Sequence, residues 1–81
     1  MKRYRIYITA KQGIFDPAGV TAQEALANLD FAGVQSVRIG KLIELQANND
    51  VNVEAVERMC QKLLANPIIE DFQIEEDEAD L

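Results

Sequence analysis

The sequence predicts an α+β domain of order β-α-β-α-β, with a three-stranded sheet and two helices on one face. Three features point there. Extended segments with a two-residue apolar period alternate with segments carrying a helical apolar stripe. Turn and capping residues separate them. At 81 residues there is room for one domain and no more.

Lys2 to Thr9 reads as the first strand. Tyr4, Ile6 and Ile8 fall on one side, and Arg3, Arg5, Tyr7 and Thr9 on the other. Lys11-Gln12-Gly13 breaks the pattern. Asp16-Pro17 then reads as a helix start, because Asp16 can accept from a free backbone N–H and Pro17 needs none at the first helical position. Thr21 with Glu24 forms a rival capping box one turn later. Val20, Ala22, Ala25, Leu26 and Leu29 make the helical stripe, which ends near Asp30.

Val34 to Ala47 is the longest extended segment. Val37, Ile39, Ile43, Leu45 and Ala47 share a face that Lys41 interrupts. Gly40 suits a bend or bulge in one long strand. A hairpin turning at Gly40-Lys41 is the alternative. The long bent strand is favoured because the alternation keeps its phase across Gly40. Asn48-Asn49-Asp50 is a turn cluster. Asn52 can cap a second helix whose stripe is Val53, Val56, Met59, Cys60, Leu63 and Leu64. Pro67 stops it and pushes Asn66 towards an extended conformation. Ile68 to Ile74 is a last short strand. The domain therefore occupies residues 1–75, and residues 76–81 form an acidic tail expected to be disordered.

The net charge is −6, and seven of the fourteen acids lie in residues 70–81 with none of the eight bases. The body is nearly neutral. Nucleic acid is an unsuitable partner, because phosphate binding needs a basic face. No apolar run approaches the roughly 18 residues that cross a bilayer, and Met1 to Ala10 does not read as a signal peptide. A single thiol fits a reducing cytoplasm.

Catalytic chemistry is hard to place. The chain has no histidine, which removes Ser-His-Asp and Cys-His arrangements and histidine-ligated metals. Cys60 sits on an apolar stripe and reads as a small hydrophobe. Gly40-Lys41 fails as a phosphate loop: Gln35 stands where the first glycine belongs, Leu42 replaces the hydroxyl, and the segment is strand-like. What remains is Arg38, Lys41 and Glu44 on the long strand, either as solvated cross-strand charges or as an interface in which Arg38 forks onto a carboxylate. One sheet face has no helix to cover it, and two strand edges stay open, so an oligomer is expected.

Three segments carry a family resemblance. They are Gly13-Ile14-Phe15-Asp16-Pro17-Ala18-Gly19 with Glu24-Ala25-Leu26, then Val37-Arg38-Ile39-Gly40-Lys41-Leu42-Ile43-Glu44-Leu45, then Cys60 to Phe72 including Asn66-Pro67. Together they resemble PurS, the small subunit of phosphoribosylformylglycinamidine synthase, over roughly residues 3–75. Asp30 stands where that family commonly has glycine, and the acidic extension after Glu75 lies outside the shared pattern.

The resemblance implies a fold that dimerises through its sheets, sometimes into tetramers. It implies a complex with a synthetase large subunit, which uses ATP and magnesium, and a glutaminase subunit that releases ammonia. This chain itself would hold no cofactor, metal or catalytic residue. By matching positions, Asp16, Pro17, Gly19, Arg38, Gly40, Lys41 and Glu44 would be structural or interface residues, and Asn66 and Pro67 would set the last turn. A small dimeric metabolite-binding module is the alternative function.

Overall fold

The computed structural model describes residues 1–77. Strand β1 (Lys2–Ala10) is followed by helix α1 (Pro17–Asn28), strand β2 (Lys41–Ala47), helix α2 (Val53–Met59) and strand β3 (Glu70–Asp77). The order in the sheet is β2-β1-β3, and both pairings are antiparallel. The first strand of the chain is thus the centre of the sheet, hydrogen-bonded on both sides.

Inward residues of β1 make the core. Tyr4, Ile6 and Ile8 are buried with Val56, Cys60 and Ala65. Ile6 lies between Ile43 on β2 and Ile74 on β3, so three branched side chains form one row under α2. The buried Tyr4 hydroxyl donates to the Val51 carbonyl at 2.7 Å, which removes the penalty of a buried polar group.

Both helix starts follow the expected capping. Asp16 accepts from the Gly19 N–H at 3.1 Å with Pro17 as the first helical residue, so the box at Thr21 and Glu24 is not used. Asn52 accepts from the Ala55 N–H at 2.9 Å. After Leu29, Asp30 adopts a left-handed conformation with φ 69°. Glycine enters that region without the Cβ penalty, and the chain here spends an aspartate on it, a side chain that tolerates it better than most.

Four expectations are corrected. The long strand is not continuous: only Lys41–Ala47 is laddered to β1, and residues 34–40 run without a strand partner. The β1–β2 ladder ends at Ile8 and Lys41, and before it the chain turns its backbone to Asp16 and Gln23 instead of to β1. The last strand starts at Glu70, two residues later than expected, because Pro67 to Ile69 are spent on a turn. It then runs to Asp77, into the segment read as tail, because Glu75 and Asp77 find Arg5 across the sheet. Residues 78–81 of that tail lie outside the described residues.

The fourth correction concerns the helices. α2 packs on the sheet, but α1 makes no substantial contact with any strand. It packs instead on the returning segment 34–39, and the two form an arm that stretches the molecule to 49 Å along its longest axis. Helix α2 also ends early. Cys60–Leu64 is a π-helical turn closed by the Ala65 N–H donating to the Cys60 carbonyl at 2.9 Å. The wider turn leaves Leu63, read as part of the buried stripe, 82% exposed.

Candidate assembly interface

The residues singled out in the sequence gather where the arm leaves the sheet. Asp16 is the centre of that junction. One carboxylate oxygen caps α1 at Gly19, and the other accepts from the Ile39 N–H at 2.9 Å on the returning segment. These donors, Ile39 first and Gly19 second, hold the Asp16 carboxyl below its usual range, and Arg38 adds to the effect. Arg38 Nη2 donates to the Ala10 carbonyl, which ties the same segment to the end of β1. Gln23 Nε2 donates to the Gln35 carbonyl at 2.9 Å. Gln23 was not among the residues singled out. Its signal in the sequence is a polar side chain four residues after Gly19 and three before Leu26, within the helix face that turns inward.

Two glycines make the approach possible. A Cβ on Gly19 would collide with the Val37 carbonyl and sit 2.5 Å from an Asp16 oxygen. A Cβ on Gly40 would collide with the Ile8 carbonyl and sit 2.9 Å from the Thr9 methyl group. Here backbone meets backbone, and no side chain can yield. Asn66 and Pro67 lie elsewhere, in the turn before β3. Asn66 accepts from the Ile68 N–H at 3.1 Å, and its own N–H donates to Glu70 at 2.8 Å.

Glu44 does not join the junction, whereas Lys41 borders it, lining a cavity of about 300 Å³ with Asp16, Ile39, Gly40 and Glu70. Lys41 Nζ lies 3.8 Å from Glu70, across β1 from its own strand. Glu44 lies 3.8 Å from Arg5 on the sheet face that α2 leaves open. Arg5 there also meets Glu75 and Asp77, each at 3.3 Å, and the Tyr7 hydroxyl donates to Glu75 at 3.1 Å. The hydrogen bond to Glu75 leads the upward shift of both Arg5 and Tyr7. These are exposed pairs, which order the face more than they stabilise it.

Apolar surface is concentrated on the arm and beside α2. Phe15, Leu29 and Phe31 are exposed by more than half. A groove of about 670 Å³ beside α2 is lined by Leu45, Ala55, Met59 and Leu63, with Arg58 and Lys62. Cys60 is buried in the core, and burial, with Glu57 nearby, pushes the thiol up. It is protonated at neutral pH and poorly suited as a nucleophile. Among the described residues no group of three or more histidine, cysteine or acidic side chains is arranged to hold a metal, and no helix is long and apolar enough to cross a membrane.

The Asp16 junction has a testable pH dependence. Its folded carboxyl titrates below the unfolded one, so its contribution is present above about pH 4 and is lost as pH falls through the folded value. Asp16→Asn keeps a capping oxygen but not the charge. The expected result is a Tm a few °C lower than the parent at pH 7, with the gap closing below about pH 4. A gap independent of pH in thermal melts would remove the charge from the account.

The chain is similar in sequence and fold to known proteins. The profile of PurS, phosphoribosylformylglycinamidine (FGAM) synthase, matches residues 3–78. The phosphoribosylformylglycinamidine synthase subunit PurS of Bacillus subtilis is 41% identical over 81 residues, which cover 96% of this chain and 95% of the relative. The crystal structure of Methanocaldococcus jannaschii PurS, described as one of the subunits of formylglycinamide ribonucleotide amidotransferase, superposes with a TM-score of 0.87 at 36% identity. It covers 99% of this chain and all of that one. A chain in the structure of PurLQS from Thermotoga maritima superposes with a TM-score of 0.79 at 28% identity, covering 94% of this chain and 96% of that one. With a profile match over nearly its whole length and a relative sharing two residues in five, this chain belongs to the PurS family.

Proposed function

We propose that the chain serves as the small, non-catalytic subunit of a phosphoribosylformylglycinamidine synthase. In this reading it joins a synthetase subunit, which uses ATP and magnesium, to a glutaminase subunit, and supports transfer of ammonia between them. The product is formylglycinamidine ribonucleotide, made from formylglycinamide ribonucleotide in purine biosynthesis. The observation that carries the reading is the full-length likeness to a chain of PurLQS from Thermotoga maritima. The surface supports it too: a bridge needs faces, and this chain presents an ordered charged face at Arg5 and an apolar arm, without a histidine. Such a subunit works in the cytoplasm beside its partners.

The chain works as a homodimer joined through its sheet. Support comes from Leu29 and Phe31 at the end of α1, which the described residues leave largely exposed, and from the edges of β2 and β3 that pair with no other described strand.

Reconstitution tests the function. Synthetase and glutaminase subunits from the same organism are assayed with glutamine and ATP, with and without the chain. Glutamine-dependent turnover is expected to require it, with the three co-eluting in the presence of glutamine and a nucleotide. Full turnover without the chain overturns the reading.

A further inference from the structure

We propose that the cavity at the base of the arm binds a small apolar α-amino acid as its zwitterion, with Lys41 on the ligand's carboxylate, Glu70 on its ammonium group, and Ile14, Phe15, Ile39 and Ile69 around its side chain. The site is built from the residues of one chain. It goes beyond the subunit function and does not rest on it.

The cavity follows from the register of the sheet. Lys41 lies opposite Ile8 and Glu70 opposite Ala10, so all four point to the core side. Along that side β2 continues with Ile43 and Leu45, and β3 continues with Phe72 and Ile74. An apolar row thus ends in one charge of each sign. Ala10, beside them, is small and leaves space that a larger residue would fill. The chain entering α1 and the segment at Ile39 and Gly40 supply the other walls, with Ile69, and enclose about 300 Å³.

The two charges are not spent on each other. Lys41 Nζ stands 3.8 Å from Glu70 Oε2, too far for a hydrogen bond. Glu70 Oε1 accepts from the Asn66 N–H at 2.8 Å, which fixes the carboxylate and leaves Oε2 open. Among the described residues, neither the Lys41 ammonium group nor Glu70 Oε2 has a hydrogen-bond partner. The Glu70 side chain is only 20% exposed, so an unmade bond costs more there than on an open surface. Asp16, the third charge on the wall, is already committed, because its oxygens accept from Gly19 and Ile39.

Ligand chemistry follows from this arrangement. An α-amino acid carries an ammonium group and a carboxylate on one carbon. It therefore presents two opposite charges close together, as Lys41 and Glu70 do, and meets both with charge-assisted hydrogen bonds. The apolar side chains at the mouth, Ile14, Phe15, Ile39 and Ile69, are all exposed in the chain alone, and an aliphatic side chain covers them. A free amine offers nothing to Lys41, and a fatty acid offers nothing to Glu70. A volume of about 300 Å³ is the lower end of the range for ligand sites, which favours a ligand of amino-acid size over a nucleotide. Asp16 and Glu70 outnumber Lys41 on the wall, and that excess repels phosphate. A ligand here touches the end of β1, the returning segment and the turn before β3. Those three pieces meet where the arm leaves the sheet, so occupancy braces the arm.

Backbone amide NMR of the full chain, titrated with L-leucine, tests the site. The amides of Ile14, Phe15, Ile39, Lys41, Ile69 and Glu70 are expected to shift saturably, with a Kd of about 1 mM for so small a ligand. Isoamylamine is leucine without its carboxylate, and is expected to bind about 2- to 5-fold more weakly, the worth of an exposed ion pair. Isocaproate is leucine without its ammonium group, and is expected to bind about 10- to 100-fold more weakly, because the Glu70 bond is less exposed. Adenosine monophosphate is expected to leave these amides unmoved. Lys41→Met removes the ammonium group, and Glu70→Gln keeps an oxygen for the Asn66 N–H. K41M is expected to bring leucine to the level of isoamylamine without changing isoamylamine. E70Q is expected to weaken leucine without changing isocaproate. The analogues probe the same groups on the parent chain, where misfolding cannot imitate the result. Shifts that do not saturate, or that fall elsewhere, overturn the site. Isoamylamine or adenosine monophosphate binding as tightly as leucine overturns the ligand class. Leucine binding unchanged in both variants overturns the roles of Lys41 and Glu70.

Discussion

Ile6→Ala is expected to destabilise the domain by about 2–5 kcal/mol, the range for deleting a fully buried branched side chain. Ile6 is the centre of the central strand, with no exposed surface, and pairs with Ile43 on one side and Ile74 on the other. Its removal leaves a hole bounded by two strands that are themselves laddered to β1. The surroundings cannot collapse into the space without breaking the sheet. A domain of this size is stable by roughly 0.05–0.15 kcal/mol per residue, about 4–12 kcal/mol in all. The variant is therefore expected to approach or cross the limit of folding at 37 °C. Ile6→Val, which removes one methylene, is expected to cost about 0.5–1.5 kcal/mol. Chemical denaturation followed by circular dichroism, at one fixed protein concentration because association adds to apparent stability, checks both. A loss below about 1 kcal/mol for Ile6→Ala would mean that the core repacks, contrary to the pinned sheet described above.

Gly40→Ala is expected to cost about 1–3 kcal/mol, the range for overpacking, with roughly 4–8 °C of Tm per kcal/mol for a domain of this length. The reason differs from that for Ile6. Gly40 is exposed, and nothing about its solvent contact marks it as important. The added methyl meets the Ile8 carbonyl, a group held in the central strand, so β2 has to shift away from β1 at its first residue. The shift moves Ile39 from Asp16 and Arg38 from Ala10, which are the contacts that aim the arm. Loss of assembly is thus expected to exceed what the loss of stability explains. Thermal melts paired with the light-scattering mass separate the two effects. A variant that melts like the parent and keeps its assembly would show that the junction yields more easily than its geometry implies.

Much of the fold was legible because its causes are local. The alternation in β1 identified Tyr4, Ile6 and Ile8 as inward, and all three are buried. Asp16-Pro17 and Asn52 marked the helix starts because a cap is made within three residues of itself. Leu63 was misplaced because a stripe drawn at 3.6 residues per turn cannot anticipate a π-helical turn beginning at Cys60. The end of β3 was misplaced because a run of acids reads as solvated until Arg5 is known to lie opposite.

Of the junction residues, Asp16, Arg38 and Gly40 were read from the sequence itself and Gly19 came through family likeness, but the contacts they make emerged only in three dimensions. Asp16 was legible as a cap, yet its second oxygen bonds Ile39, twenty-three residues away. Gly19 and Gly40 are small because backbones cross them, and nothing in their immediate sequence says which backbones.

By itself the sequence determined the element order, the inward face of β1, both helix caps and the lack of histidine chemistry. Each of these depends on residue type and on spacing over a turn or two. The tertiary structure decided that β1 is the central strand, that residues 34–40 stay unpaired within the chain, and that α1 rides on an arm instead of on its own sheet. Those outcomes depend on which distant groups meet, and alternation along a strand is the same whether its neighbour is the same chain or another.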